Sequence, residues 1–309
     1  MWAFSSCWNA HRHTDGREML REIRALGFEY VELGHNTRLS LFDGIRQAVA
    51  DGEVRVCSLH NFCPLPVGLV GPAPDYYLPS ATDERERASA VRHTLRTLEC
   101  AAMLGAAFVV LHLGRVRMRS YTMRLLRMVE EERTDQPRFA RLREKALAVR
   151  ARKREKFLQQ VYRTLDEVVP RAKELGIRLG LETRFALEEI PNREEVAGLI
   201  ARYGSEVIQY WHDVGHAQVQ EQLGLARHEE WLETFRGNTA GMHLQDVAPP
   251  ADDHRPPGQG EFDFGRLAPF VCAGQALVWE IHPGWSAEQI QAGMTRVKEQ
   301  LVAGRCPAV

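Results

Sequence analysis

The stretch EVIQYWHDVGHA, residues 206–217, sets the expectation for the fold. Its first part, 206–213, is rich in β-branched and aromatic residues and is typical of a buried strand. The strand ends on His212 and Asp213, and His216 follows after two residues. Ionisable side chains at the end of a buried strand are costly unless other groups pair with them. The stretch therefore predicts a strand that delivers polar side chains to a shared site.

Seven further segments have the same character. Each is short and apolar, with β-branched or aromatic residues, and most are bounded by glycine, proline or turn residues. They cover residues 2–8, 28–34, 53–60, 106–114, 177–184, 239–246 and 276–283. Amphipathic helical patterns separate them, and one of these patterns starts at Thr14 or Asp15 and ends before Gly27.

Strands that alternate with helices define an α/β protein. Eight such strands predict a (β/α)8 TIM barrel that forms a single domain over residues 1–309. A doubly wound parallel sheet is the alternative, but no GxGxxG motif follows the first strand. We therefore expect the barrel, with the carboxyl ends of its strands on one face.

One interval is too long for a simple barrel. His112 and Glu182 are about 70 residues apart, whereas the strand-to-strand steps after Glu182 are near 30. The excess, residues 115–156, is rich in arginine and lysine and has a helical period, with Pro137 as the expected break between two helices. We predict a helical insertion after strand 4. A solvated helical hairpin is the simplest interpretation, and a basic lid or a contact in a homo-oligomer is the alternative.

Composition narrows the class of protein. The formal net charge of −1 and pI near 6.9 give no global sign of a nucleic-acid or membrane partner. The six cysteines show no CxxC spacing, which favours reduced thiols in a cytoplasmic protein over a disulfide framework. No apolar run reaches the ~18 residues of a transmembrane helix, and the first residues lack a signal-peptide pattern.

Carboxylates and imidazoles recur at the predicted strand ends. A single residue of this kind has an ordinary structural explanation, as a core hydrogen-bond partner or a salt bridge. In a barrel, however, the carboxyl ends of all strands converge, and carboxylates of like charge share such a site around a cation. The residues are Glu32, His60, His112, Glu182, Asp213, His216, His243, Asp246, Glu280 and His282.

These donors predict a divalent metal site. A mixed histidine and carboxylate set without cysteine suits Mn²⁺, Co²⁺, Mg²⁺, Fe²⁺ or Zn²⁺, and the sequence does not choose among them.

The chain resembles the xylose-isomerase-like TIM-barrel superfamily, which includes sugar isomerases and epimerases, inosose dehydratases and endonuclease IV. The resemblance covers nearly the whole chain except the basic insertion. It rests on GLETR, HDVGH, MHLQD and VWEIHP, and on DDHRPPGQGEFDF with its Asp-x-His and Gly-x-Gly. The metal ligands that it implies are Glu182, Asp213, His243 and Glu280.

Similarity to the sugar-acting members implies the reaction. A metal-dependent isomerase or epimerase would remove a proton beside the carbonyl of a sugar through an enediolate, with Glu182 and Glu280 as catalytic acid and base. His216 would hold a substrate oxygen. Glu32 would orient substrate or form a buried salt bridge, and Arg184 would bind hydroxyls, bind a carboxylate or form an ion pair. His60 and His112 complete the set of residues that contact substrate or support the ligands.

Three alternatives stay open at this point. A dehydratase of a keto-sugar or inosose would start with the same proton abstraction. Endonuclease IV has a larger ligand set, for which the chain offers His60, His112, His216, Asp252 and His254 as extra ligands, so that several metals would cleave a phosphodiester. The near-zero net charge argues against a duplex partner, although the basic insertion could supply one locally. A barrel that binds a ligand without catalysis is the third alternative, but no member of the implied ligand set is missing.

Overall fold

The computed structural model describes residues 1–69, 71 and 74–303. Eight parallel strands form a closed barrel, and two further short strands form an antiparallel hairpin at its mouth. The strands are β1 (Trp2–Ser5), β2 (Tyr30–Leu33), β3 (Arg55–His60), β4 (Phe108–Leu111), β5 (Arg178–Glu182), β6 (Ile208–Asp213), β7 (Thr239–Leu244), β8 (Asp246–Ala248), β9 (Asp252–Arg255) and β10 (Ala276–Trp279).

The predicted (β/α)8 barrel is confirmed. The barrel order is β1-β10-β7-β6-β5-β4-β3-β2, and closure between β1 and β10 excludes the doubly wound sheet. Each predicted segment contains one barrel strand, but the strands are shorter than the apolar runs. The first run, for example, leaves the sheet after Ser5 and forms a 3-10 turn at Ser6–Trp8. β8 and β9 make the hairpin that the sequence did not predict.

Helices surround the barrel and connect its strands. They are α1 (Gly16–Ala25), α2 (Phe42–Ala50), α3 (Glu84–Met103), α4 (Thr122–Glu130), α5 (Pro137–Lys153), α6 (Glu155–Leu175), α7 (Arg193–Tyr203), α8 (Val214–Gln222), α9 (His228–Thr234) and α10 (Ala287–Ala303). Capping side chains explain where two of these helices begin. Asp15 caps α1 by accepting hydrogen bonds from the backbone N–H groups of Arg17 and Glu18, and Asn192 with Glu195 forms a capping box on α7.

The lower half of the barrel interior is apolar. Ala3, Phe108, Trp211 and Val278 belong to one buried cluster inside the barrel. Trp211 fits because β7 has a glycine beside it: a Cβ at Gly241 would lie 2.7 Å from the indole ring. The packed interior confines the polar strand ends to the upper, carboxyl-terminal face of the barrel.

The basic insertion is helical, as predicted, and α5 begins at Pro137. It is more than a solvated hairpin. Leu125 and Phe139 pack against Val219 of α8 and against Leu223, which follows that helix, so α4 and α5 bury an apolar face on the barrel. Ala251, in the hairpin turn at the mouth, packs against the same cluster. The insertion therefore borders the mouth.

A buried ion pair also ties the insertion to the barrel. Both terminal nitrogens of Arg150 in α5 donate to the carboxylate of Glu195 in α7, at 2.8 and 2.7 Å. Arg150 also donates to the backbone carbonyl of Glu189 at 2.7 Å. Both side chains are almost completely buried. The insertion is thus anchored by a charge pair that water does not reach.

The composition predicted reduced cysteines and no transmembrane helix. Cys7, Cys57, Cys63, Cys100 and Cys272 are free thiols, whereas Cys306 lies outside the described residues. In the described part of the chain, no helix has the length and apolarity required to cross a membrane.

Candidate metal centre

Four side chains from neighbouring strand ends meet at the centre of the mouth. One ligand atom from each of Glu182, Asp213, His243 and Glu280 lies within 4.8 Å of the others. The parallel register brings them together, because Asp213 on β6 stands beside His243 on β7. All four side chains are buried. The set that the resemblance implied as metal ligands is therefore assembled in one place.

Other potential ligands extend this cluster on both sides. His60, His112 and Glu182 form one group of ligand atoms, and Asp213, His216 and His254 form another. Glu182 and Asp213 belong to these groups and also to the central one. The arrangement is thus one continuous set of donors rather than a single isolated site.

The stretch 211–217 contributes through a helix cap. Asp213 ends β6 and caps α8, accepting a hydrogen bond from the backbone N–H of His216 at 2.7 Å. The cap places His216, one turn later, beside the aspartate. His212 faces away and bonds to the hydroxyl of Tyr210 at 2.7 Å and to His228 at 3.1 Å. Only one of the two histidines in the stretch serves the centre.

Hydrogen bonds at the rear of each imidazole define which nitrogen faces the centre. His60 donates from Nδ1 to the backbone carbonyl of Asn61 at 3.0 Å, and His112 donates from Nδ1 to Asp75 at 3.1 Å. Neutral rings with those protons present a lone pair at Nε2. These lone pairs point at the same carboxylate oxygen, Oε2 of Glu182, from 3.2 and 2.7 Å.

His243 repeats this pattern at the centre. Its Nε2 lies 3.2 Å from Glu32, the acceptor behind it. Its Nδ1 faces oxygens of Glu280, Glu182 and Asp213 at 3.0, 3.4 and 3.5 Å. A ring that donates to Glu32 therefore turns a lone pair toward three carboxylates.

A divalent cation fits this donor set. Lone pairs that face carboxylate oxygens repel each other unless a proton or a cation lies between them. Carboxylates and backbone carbonyls behind the ligating histidines are the usual means of orienting imidazoles toward a metal. Glu32, Asp75 and the carbonyl of Asn61 occupy those rear positions. Glu182, Asp213, His243 and Glu280 are the residues that could hold one ion, and the flanking groups could hold more.

Without a cation, protons take its place. Burial lowers the pKa of His216, but Asp213 and Glu182 outweigh burial and raise its pKa to about 9. Burial raises the pKa of Glu182, and His112, His216 and His243 outweigh this and hold it well below the usual range. The same balance holds the pKa of Glu280 low, with His243 as the main partner. The carboxylates stay ionised, as metal ligands must.

Asp75 joins two residues of the centre. It lies in the connection between β3 and α3, where it accepts from His112 and also from Arg184 at 3.0 Å. Arg184 is buried, pairs with Glu189 at 3.2 Å, and approaches Glu182 to 3.8 Å. Three carboxylates therefore surround its guanidinium. This environment suits the ion-pair alternative for Arg184 better than recognition of an anion.

Of the other predicted residues, some support the metal ligands and one does not reach the centre. Glu32 is completely buried and accepts hydrogen bonds from Ser58 and His243, so it supports the ligand rather than lining open space. Asp252 does not reach the centre: its side chain is 66% exposed and pairs with Arg255. Asp253 takes the inner position instead.

Asp253 lies 3.0 Å from His254 and 4.0 Å from His216. The β8–β9 hairpin explains the exchange, because neighbouring residues of a strand point to opposite faces and His254 has a positive φ of 57°. Asp246 accepts from the backbone N–H groups of Gly258 and Gly260, at 2.7 and 3.0 Å, and so holds the Gly-x-Gly turn.

Sequence reasoning missed four residues of this region. His35 directly follows the predicted second strand, and Gln245 lies two residues after the ligand His243 of β7, so position along the chain could have suggested both. Gln245 donates to both oxygens of Asp213 at 2.8 and 2.9 Å. Asp75 and Asp253 gave no signal, since each lies in an irregular connection or a short hairpin.

The fold and the cluster define a class of protein: an α/β barrel with a carboxylate and imidazole centre at the carboxyl-terminal mouth. A family model described as xylose isomerase-like TIM barrel matches residues 20–273. The chain belongs to this family. The predicted superfamily is thereby confirmed.

Solved structures share the fold at low sequence identity. A D-tagatose 3-epimerase-like protein is 16% identical, with a TM-score of 0.70 and 98% of each chain covered. A putative xylose isomerase from Rhodospirillum rubrum is 19% identical, with a TM-score of 0.71 and 99% of each chain covered. A protein from Thermus thermophilus, soaked with ZnCl2, is 22% identical, with a TM-score of 0.60, covering 99% of this chain and 98% of that one. No curated protein sequence matches this chain.

Removal of metal should destabilise the protein, and more strongly at alkaline pH. Because His216 has a raised pKa of about 9, its proton stabilises the metal-free fold fully below pH ~6.5 and is lost as the pH rises toward 9. An ion held by Glu182 and Asp213 neutralises the charges that hold this proton, and it stabilises the folded state by ~2.7 kcal/mol at 100 times its Kd. We expect chelation to lower the Tm more at pH 8.5 than at pH 6.5, with Mn²⁺ or Co²⁺ restoring it. A Tm insensitive to chelator, in protein purified without metal, would contradict the metal centre.

Proposed function

We propose that the protein is a divalent-metal-dependent isomerase or epimerase that acts on a keto-sugar or a polyol-derived ketone by proton abstraction through an enediolate. One observation carries this proposal. Two buried glutamates, Glu182 and Glu280, approach the same ring nitrogen of His243 from 3.4 and 3.0 Å. The centre therefore has two ionised carboxylates beside one ligand nitrogen, where a bound ion would bring a substrate carbonyl between them.

The four central residues Glu182, Asp213, His243 and Glu280 would hold the ion. A divalent ion there, whichever of Mn²⁺, Co²⁺, Mg²⁺ or Zn²⁺ it is, would draw electrons from a substrate carbonyl and make the neighbouring C–H more acidic. Glu32 keeps the Nδ1 lone pair of His243 turned toward the ligand oxygens, and Gln245 fixes both oxygens of Asp213. This leaves the two glutamates as the groups that move protons.

Glu280 is the better placed of the two as a base. Oε2 of this glutamate lies 3.0 Å from His243 and 3.5 Å from His254. The carboxyl is ionised, so its other oxygen would take a proton from carbon. Glu182 is surrounded by His60, His112 and Arg184, and it would return the proton or stabilise charge from the other side. A dehydratase would use the same first step and then expel a hydroxyl.

A second candidate is a multi-metal phosphoesterase of the endonuclease IV type. It is favoured by the number of separate lone pairs, because His60, His112 and His216 lie outside the central group yet face its carboxylates. The arginine-rich insertion also borders the mouth, where it could meet a phosphate backbone. A nucleic-acid substrate is part of this candidate only.

Two assays separate the candidates. In the first, the metal-loaded protein is incubated in D2O with a panel of ketoses, keto-inositols and keto-glycosides, and NMR follows exchange of the C–H beside the carbonyl. In the second, duplex DNA with one abasic site is tested for incision. We expect exchange and no incision, together with one tightly bound ion per chain by elemental analysis. Metal-dependent incision by protein with three ions, and no exchange on any sugar, would replace the first proposal by the second.

The proposal also covers the binding partners of the protein and its location in the cell. The partner is a small sugar molecule, and the protein would act in the cytoplasm, where free cysteines stay reduced. A homo-oligomer is also proposed, with the exposed side of the basic insertion as its contact; light scattering would measure the mass.

A further inference from the structure

A cavity of about 520 Å³ opens at the barrel mouth beside the metal centre. The loops that follow β1, β2, β3 and β10 form its walls. Its polar lining consists of His11, His35, Asn36, Arg38 and His282, and no carboxylate of the described residues lines it. Its volume suits a small organic ligand. A larger cavity of about 710 Å³ lies beside the Gly258–Gly260 turn. None of the four central ligands lines either cavity, but the first one is lined by His35, which has a ring nitrogen close to Glu280.

His35 connects this cavity to the centre. Its side chain lines the cavity, and one ring nitrogen lies within 4.8 Å of ligand atoms of both His60 and Glu280. Its Nδ1 is buried and hydrogen-bonds to no described residue. The ring packs edge-on against His60, with centroids 5.1 Å apart, so its position is fixed by packing. A buried ring nitrogen without a partner among the described residues is open to one from a ligand.

A metal ion is a poor explanation for this nitrogen. His60 has one lone pair, at Nε2, and that lone pair faces Glu182. Glu280 directs its Oε2 to His243 and His254. An ion beside His35 would have to take these ligands from the other groups. An oxygen atom that hydrogen-bonds to two groups lies about 2.8 Å from each, which agrees with the separation of at most 4.8 Å between one ring nitrogen of His35 and a carboxylate oxygen of Glu280.

We propose that this cavity is the substrate subsite of the centre, and that His35 is a positioning residue that hydrogen-bonds to a substrate hydroxyl beside Glu280. The inference rests on the proposed isomerase or epimerase function and adds one substrate contact, His35, that the sequence did not predict. A neutral imidazole offers one donor and one acceptor, as a hydroxyl does, and an amide offers both as well. Three histidines and Asn36 in the lining match a row of hydroxyls.

The test compares His35→Ala with His35→Asn, whose side-chain amide occupies the place of Nδ1. Removal of one hydrogen bond should raise the KM for proton exchange about tenfold in His35→Ala, and His35→Asn should recover most of it. Sorbitol, a polyol without a carbonyl, serves as the binding probe in calorimetry and should show the same order of affinity. His93→Ala is the control, because it removes a half-buried imidazole outside the cavity. Metal content per chain should be unchanged in all variants.

Each contrary result has a distinct meaning. A drop in metal content in His35→Ala would show that His35 is a ligand and would overturn the inference. A KM and a sorbitol affinity equal to those of the wild type would show that the cavity does not hold the substrate. If the wild type exchanges no ketose proton, the proposed function fails, but sorbitol binding that depends on His35 would still support the subsite. Absence of both exchange and sorbitol binding in the wild type would overturn both proposals.

Discussion

Glu280→Gln should reduce turnover by ~10²–10⁴-fold, the usual contribution of a general base. The amide retains the shape of the side chain and an oxygen that can approach the ion, but it cannot accept the proton from carbon. Glu182, Asp213 and His243 remain as strong ligands, so the affinity for Mn²⁺ should fall far less than turnover. The two quantities are measured separately, the first by proton exchange in D2O and the second by competition with a chelating dye.

Glu288→Gln is the matched control for this substitution. Glu288 is exposed at the start of α10, so the same change of carboxylate to amide should leave turnover and metal affinity unchanged. If turnover in Glu280→Gln declines only in proportion to metal occupancy, Glu280 acts as a ligand alone. The role of base would then pass to another residue, with Glu182 as the first candidate to test.

Arg150→Met should destabilise the protein by ~3–5 kcal/mol, the cost of leaving one partner of a buried ion pair alone. Glu195 would lose both hydrogen bonds from the guanidinium, and the carbonyl of Glu189 would lose its donor. The double variant Arg150→Met with Glu195→Gln should recover much of the loss, since no charge is then left in the interior. Urea denaturation followed by circular dichroism measures the change in the free energy of unfolding.

Arg152→Met provides the comparison for this second prediction. Arg152 lies two residues further along α5 and is exposed, so its loss should change the free energy of unfolding by less than ~0.5 kcal/mol. Equal effects of Arg150→Met and Arg152→Met would mean that the insertion is not anchored through Glu195.

Much of the fold could be predicted because its signals are local. The apolar run before Asp213, and seven others like it, encode strands, since a parallel strand in a barrel is buried on both sides. Asp15 caps α1 within three residues of itself, and Pro137 begins α5 where the sequence places the break. Alternation of strands and helices then leaves few topologies, and the barrel is the one observed.

The insertion makes buried contacts that its local sequence does not predict. Its charge density predicted a solvated surface, and most of its arginines and lysines are exposed or half-buried. Arg150 is buried all the same, because Glu195 is brought opposite it by a different part of the chain. Leu125 and Phe139 likewise bury their side chains on α8. Composition cannot show which of many similar residues meets a distant partner.

The sequence by itself determined which strand-end residues converge at the mouth, among them Glu182, Asp213, His243 and Glu280. All strands of the barrel run in the same direction, so their carboxyl ends lie on one face. The tertiary structure alone decided which neighbours complete the centre. Asp75 reaches His112, Asp253 replaces Asp252, and His35 lines a cavity while its buried Nδ1 has no partner among the described residues. These contacts join segments whose conformations are irregular, and their geometry depends on how the loops pack rather than on any periodic pattern.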